Sequence, residues 1–181
     1  MTVSAKPSFV FEALSSHGAA QVESDFAKEL ETYQHTISLQ LGELEKSDPR
    51  RATLLEVFRK ALDYNHVLEY FKSAVEEPIE GESKTQLYAC LSSDNTVEGI
   101  FSFHIEEKNL FVETILSKPK NVFGASAVKG VGTACFEKIM ACAKECGVIK
   151  VSLSPTPVSK PFYEKMGMVY DEAENKFHIE A

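Results

Sequence analysis

In this 181-residue sequence, residue types suited to chemistry gather in three stretches of the second half. The first is Val128-Lys129-Gly130-Val131-Gly132-Thr133, between a loop-like segment and a helix-like one. Its two glycines let backbone N–H groups approach an anion, and the helix N-terminus adds partial positive charge. A dinucleotide loop would carry a third glycine at Cys135, and a triphosphate loop would carry Gly-Lys-Ser/Thr; this sequence has neither. A glycine turn that binds nothing is the plain alternative. The second stretch, Ser159-Lys160-Pro161-Phe162-Tyr163-Glu164-Lys165-Met166-Gly167-Met168, predicts a short helix capped by Ser159 and closed by Gly167. The third pairs an imidazole with a carboxylate. Ser102, His104 and Glu106 share one face of a strand, and Phe111, Glu113 and Ile115 share one face of the next. A two- or four-residue connection puts His104 and Glu113 on the same face. With Lys108-Asn109 as the turn they are directly opposed, and a three-residue loop would separate them.

The elements that must position these residues follow from periodicity. Val22, Phe26, Leu30, Tyr33, Ile37, Leu41 and Leu44 recur at steps of three and four, and so do Leu54, Val57, Ala61, Tyr64, Leu68, Phe71 and Val75. Between them Ser47-Asp48-Pro49 stops one helix and starts the next, so residues 19–76 form an antiparallel pair. Phe58, beside the second stripe, is a candidate core residue. An acidic connection, Glu76 to Glu82, reads as a solvated loop. The period then changes. Strands are expected over Gln86–Leu91, Val97–Glu106, Leu110–Leu116 and Val148–Ser154, with an opening strand near Phe9–Leu14 and a last hairpin at Val169–Asp171 and Lys176–Ile179. Asn121–Gly130 is loop-like, and Val131–Cys146 is a helix ending at Gly147.

Composition removes several classes of function. The formal charge of −8 gives no basic face for nucleic acid, and no apolar run is long enough to span a membrane. The first residues lack the pattern of an export signal, and four cysteines without one suit the reducing cytoplasm. Cys135, Cys142 and Cys146 fall at helical steps and read as buried small hydrophobes; zinc would want tighter pairs and a fourth ligand. His17, His35 and His66 are isolated and suggest no role.

The glycine pair followed by Phe162-Tyr163-Glu164-Lys165-Met166-Gly167-Met168 resembles the GNAT superfamily of N-acetyltransferases. That family's phosphate loop runs Gln/Arg-x-x-Gly-x-Gly/Ala, and its later short helix commonly ends Phe/Leu-Tyr-Glu-Lys-Leu-Gly-Phe. The resemblance covers residues 86–181; before that only the order of elements agrees. Ala127 stands where Gln or Arg is usual, Thr156 where many members carry asparagine, and the stretch between Pro119 and Ala127 is longer than usual. The resemblance implies a layered α/β fold within one domain over residues 1–181, a mixed, mostly antiparallel sheet flanked by helices, with the long helix pair at its N-terminal end. It implies acetyl-CoA as co-substrate, held by Leu116, Ser117, Val128, Lys129, Gly130, Val131, Gly132 and Thr133, and no metal. It implies an amine-bearing acceptor, whether small molecule, peptide N-terminus or lysine, and leaves room for a homodimer. Tyr163 matches the tyrosine that protonates the departing thiolate in many members. Glu113 lies just before Ile115-Leu116-Ser117, which resembles the cofactor-facing strand where a glutamate commonly acts as base, often through water. His104 is the second candidate base. The competing expectation is a non-catalytic module that binds CoA, or nothing, and works through its helix pair. Ala127 and the sustained heptads favour that alternative, and the intact Phe162–Lys165 run beside the glycines favours the enzyme.

Overall fold

A computed structural model describes residues 8–76, 85–124 and 128–181. Most of the acidic connection, from Glu77 on, lies outside the described residues, as does Ala127. The chain runs β1 (Val10–Ala13), α1 (Ser16–Glu43), α2 (Arg50–Glu76), β2 (Gln86–Leu91), β3 (Val97–Glu106), β4 (Asn109–Ser117), α3 (Pro119–Phe123), α4 (Val131–Glu145), β5 (Lys150–Leu153), α5 (Lys160–Lys165), β6 (Val169–Asp171) and β7 (Lys176–Glu180).

The two apolar stripes do what amphipathic helices must and bury themselves against a common surface. Phe26 and Leu30 of α1 join Ala61, Tyr64, Leu68 and Phe71 of α2 over Leu87, Ile100 and Leu116 of the sheet. The tip of this hairpin behaves differently. Leu41, Leu44, Leu54, Val57 and Phe58 are only half-buried and belong to neither core cluster, so the expectation of Phe58 as a core residue is corrected. There the chain is held by polar contacts: Arg51 Nη1 donates to the carbonyls of Leu41 and Leu44 at 2.7 and 3.2 Å, and Asp48 accepts the Arg50 N–H at 2.8 Å.

The sheet is the middle layer. Its seven strands lie in the order β1-β2-β3-β4-β5-β7-β6, and every pair is antiparallel except β4 with β5. On the face away from the helix pair, Phe101, Phe103, Leu110 and Val112 pack with Val131, Phe136 and Ile139 of α4 and with Tyr163 and Phe177. Gly99 permits this close approach, because a Cβ there would fall 2.6 Å from Val131 Cγ1 and 2.9 Å from the Leu116 carbonyl oxygen. Cys135 and Cys142 are buried as expected, and Cys90 is buried on β2, but Cys146, also expected inside, is exposed, since it lies beyond the last turn of α4.

Two local expectations change. Part of the stretch expected as loop from Asn121 to Gly130 is helical, because Pro119 starts the single-turn helix α3 after Ser117. Ser159 does not cap α5 with its side chain. A tight turn precedes the helix, and the Ser159 hydroxyl closes it by donating to the Thr156 carbonyl and accepting the Thr156 N–H, each at 3.0 Å.

Phe71 is fully buried between α1, α2 and the sheet, whereas Leu62 on the outer face of α2 is 52% exposed. Phe71→Ala is expected to lower the unfolding free energy by about 3–5 kcal/mol, and Leu62→Ala by no more than about 0.5 kcal/mol. Urea titrations of the two variants beside wild type check the difference.

Candidate functional site

The parallel pair β4–β5 is short. It matches Asn109–Val112 with Lys150–Leu153 and then ends, while β4 continues to Ser117 along β3. Beyond Val112 and Leu153 the two strands therefore leave a notch in the sheet. A cleft of 220 Å³ occupies it, lined by Val112–Leu116, by Leu153, Ser154 and Thr156, by Tyr163, and by Lys60, Asp63, Tyr64 and Val67 of α2. The notch thus brings together residues from both helical layers.

The direction of each β4 peptide group follows from alternation. The Leu116 carbonyl faces β3, where it crowds Gly99. The amide and carbonyl groups of Ile115 and Ser117 therefore face the notch. Ser117 O accepts the Tyr64 hydroxyl at 2.7 Å, which ties α2 to the end of the strand. Ile115 has no strand on that side. Open edge groups of this kind can take up an extended, amide-bearing ligand as a further strand would.

Beside the notch begins α4. Gly130 takes the N-cap position with φ of +88°, a left-handed conformation that glycine adopts without strain. The first-turn amides of Val131, Gly132 and Thr133 have no acceptors within an α-helix and are free to meet an anion. Gly132 faces the notch: a Cβ placed on it would lie 3.6 Å from Phe162 Cζ and 4.0 Å from Ser117 Oγ. Val131 is buried, and Thr133 lies with Phe9 and Phe11 along a groove on the β1 side of α4. Both can offer only backbone to a ligand in the notch. Leu116 lines the cleft while its side chain packs under the helix pair. Lys129 is exposed at the loop, and Val128 N is already engaged by Asn121 Oδ1 at 2.9 Å.

Two polar side chains line this frame. Tyr163 of α5 is 8% exposed, packs on Phe162 and Phe177, and its hydroxyl has no hydrogen-bond partner among the described residues. Burial pushes its phenol up from 10.0 to about 12, so it holds its proton. Glu113 reaches the cleft by an irregularity. Phe103 pairs with Val112 and Ser102 with Thr114, so Glu113 is an extra, unpaired residue in a β-bulge. The turn is Glu107-Lys108, not Lys108-Asn109, and His104 lies opposite Phe111, on which its ring stacks with centroids 5.2 Å apart. The expected meeting still occurs: His104 Nδ1 lies 2.8 Å from Glu113 Oε1. A carboxylate only accepts, so Nδ1 carries the hydrogen. Thr85 Oγ1 adds a donor to the same oxygen at 3.4 Å, leaving Oε2 without a partner among the described residues. The bulge also changes the alternation, so Ile115, grouped with Phe111 and Glu113 by simple counting, packs toward α4 instead.

Of the residues lining the notch, sequence reasoning assigned no role to Tyr64 or Asp63. Tyr64 had a signal, its place on the buried stripe, but nothing in the stripe marks a hydroxyl aimed at a strand end. Among the described residues no group of three potential metal ligands occurs, and no helix is long and apolar enough to cross a membrane.

This is the GNAT N-acetyltransferase fold, a mixed and mostly antiparallel seven-strand sheet between helical layers. The chain is similar to the PaiA N-acetyltransferase of Thermoplasma acidophilum, solved in complex with coenzyme A, with TM-score 0.53, 15% identity, and coverage of 96% of this chain and 98% of that one. It is similar to a GNAT-family acetyltransferase of Staphylococcus aureus Mu50, with TM-score 0.51, 9% identity, and coverage of 96% and 99%. Tetrahymena GCN5 aligns with TM-score 0.52 and 12% identity over 76% of this chain and 92% of its own. No family model and no curated protein matches the sequence.

The buried phenols set an alkaline limit. An unfolded tyrosine loses its proton near 10.0, and folded Tyr163 loses it near 12. Between those values the unfolded chain binds fewer protons, so this contribution to stability is complete below pH 10 and is lost as pH rises through 12. Tyr64, raised well above the usual phenol range by burial and then by Glu29, acts in the same sense. Denaturant titrations between pH 9 and 12 should show stability falling, and Tyr163→Phe should reduce that loss by about 2–3 kcal/mol.

Proposed function

We propose that this protein is an acyltransferase that moves an acetyl group from acetyl-CoA directly to a primary amine. One observation carries the reading: the open edge of β4 lies beside the glycine-led N-terminus of α4, and the unpartnered Tyr163 hydroxyl lines the same notch. The backbone of Ile115 and Ser117 would hold the amide-bearing arm of CoA, and the amides around Gly130 and Gly132 its phosphates. The bound thioester supplies an activated acetyl carbonyl. No metal enters this scheme.

The protein's part is to move two protons. An amine acceptor has a pKa of about 10.4 and must be neutral to attack. Glu113 Oε2 takes that proton, directly or through a water molecule, while His104 and Thr85 hold the other oxygen in place. As the new C–N bond forms and the C–S bond breaks, Tyr163 donates its hydroxyl proton to the departing sulfur. The second proton lost by the nitrogen then returns through water to the phenolate, so the net proton released is the one Glu113 passes to solvent. The burial that raises the phenol also disfavours a bare thiolate next to it, so proton and acceptor are matched. Direct attack on the thioester leaves no acyl-enzyme. The acceptor approaches from the α2 side, between Asp63 and Val67 and the exposed ring of Tyr70.

Acetyl-CoA at 100 times its dissociation constant should stabilise the fold by about 2.7 kcal/mol. Gly132→Val should abolish that stabilisation by filling the gap toward Phe162 and Ser117, and calorimetric titration reads both. Tyr163→Phe should leave acetyl-CoA affinity unchanged and lower kcat by about 10²–10⁴ in thiol-release assays over a panel of amines. An undiminished rate would show that Tyr163 is not the acid. Tight cofactor binding with no turnover by wild type would replace the enzyme reading with the non-catalytic one, in which the helix pair serves a partner.

A further inference from the structure

The most deeply buried carboxylate among the described residues plays no part in the proton transfers. Glu98, near the start of β3, is 3% exposed. A carboxylate at that depth persists only when it is paired and fully hydrogen-bonded. Its partners come from α3: Oε1 accepts from Lys120 Nζ at 3.0 Å and Oε2 from Asn121 Nδ2 at 2.7 Å, while its carbonyl accepts the Lys118 N–H at 2.8 Å. From the other side Glu29 of α1 accepts the Lys120 N–H at 2.7 Å and lies 3.8 Å from Lys118 Nζ. The short helix is clamped between β3 and α1.

Asn121 passes this rigidity on. Its Nδ2 donates to Glu98 while its Oδ1 accepts the N–H of Val128 at 2.9 Å, and Val128 leads directly into the glycine turn. A carboxamide donates to the carboxylate with one end and accepts the backbone N–H with the other. Aspartate lacks the donor, and leucine lacks both groups.

We propose that Asn121, oriented by Glu98 and Lys120, is the positioning residue of the anion-binding turn. It fixes Val128, and through it the direction of the amides that follow, so the affinity for the phosphates of CoA depends on a side chain that does not touch them. This rests on the CoA reading of residues 128–133.

Calorimetric titration with CoA, using wild type, Asn121→Leu, Asn121→Asp and the double variant Asn121→Asp/Glu98→Gln, tests it. The two single variants should bind CoA about tenfold or more weakly, since each breaks a charge-assisted contact. In assays with acetyl-CoA, KM should rise in step while kcat at saturation stays within about threefold. The double variant exchanges carboxylate and carboxamide at unchanged net charge. The carboxamide introduced on β3 would donate to the carboxylate introduced on α3, which would still accept the Val128 N–H, so affinity should return to within about threefold of wild type. CoA affinity in Asn121→Leu equal to wild type, or a double variant no better than Asn121→Asp, overturns the proposal. Hydrogen exchange at the Val128 amide decides the positioning separately and needs no variant that might fail to fold. Protection in wild type without ligand supports it, and exchange at the rate of an open loop overturns it. Failure of wild type to bind CoA at all would instead remove the cofactor reading.

Discussion

The four-residue pairing of β4 with β5 is the constraint on which the rest of the structure depends. A parallel pair needs a crossover, here α4, and a crossover helix begins where the strand before it ends. Because β5 is short, the last residues of β4 keep peptide groups that no strand satisfies. A sheet interior leaves such groups open only where something else meets them. Tyr64 meets one, and Ile115 remains. The same geometry sets the N-terminus of α4 beside the open edge, since the absence of a side chain at Gly99 lets Val131 settle onto β3. Site and fold are one arrangement: to extend β5 would be to close the notch.

The two helical layers contribute different chemistry to that notch. Beneath the face of α4 and α5 the surroundings are aromatic and aliphatic, which keeps the Tyr163 phenol neutral. From the face of α2 come the polar groups Lys60 and Asp63, with Lys60 drawn to Glu56 at 3.0 Å. One side of the notch thus excludes water and the other accommodates charge. The sheet keeps them apart everywhere except where β4 and β5 diverge.

Periodicity made the layers legible in the sequence. The stripes of α1 and α2, the change to strand alternation after residue 85, and the mostly apolar α4 each follow from which side chains must be buried. The glycine pair and the Phe162–Lys165 run pointed to the correct fold because they serve local backbone needs, a left-handed N-cap and a short helix stopped at Gly167. What stayed hidden depends on partners distant in the chain. α3 has little helical signal beyond Pro119, and contacts with Glu29 and Glu98 hold it in place. Ser159 has the right residue type for a cap, but the turn closed with Thr156 claims its hydroxyl first. Counting alone placed His104 opposite Glu113 in the wrong register. They meet all the same, because a two-residue turn of either register keeps them on one face, but β4 carries one residue more than β3 can pair, and no local pattern announces that surplus.

That surplus residue separates what packing asks of β4 from what its ladder with β3 can pair. Remove Glu113 and Ser102–Thr114 and Phe103–Val112 become neighbouring pairs of a regular ladder, with the hydrophobic contacts of Val112 and Leu116 still in register with their clusters. Stability alone gives no reason to keep the position, because a regular ladder satisfies more backbone groups than a bulge does. The extra residue is therefore a position of β4 whose presence the packing of the strand does not explain.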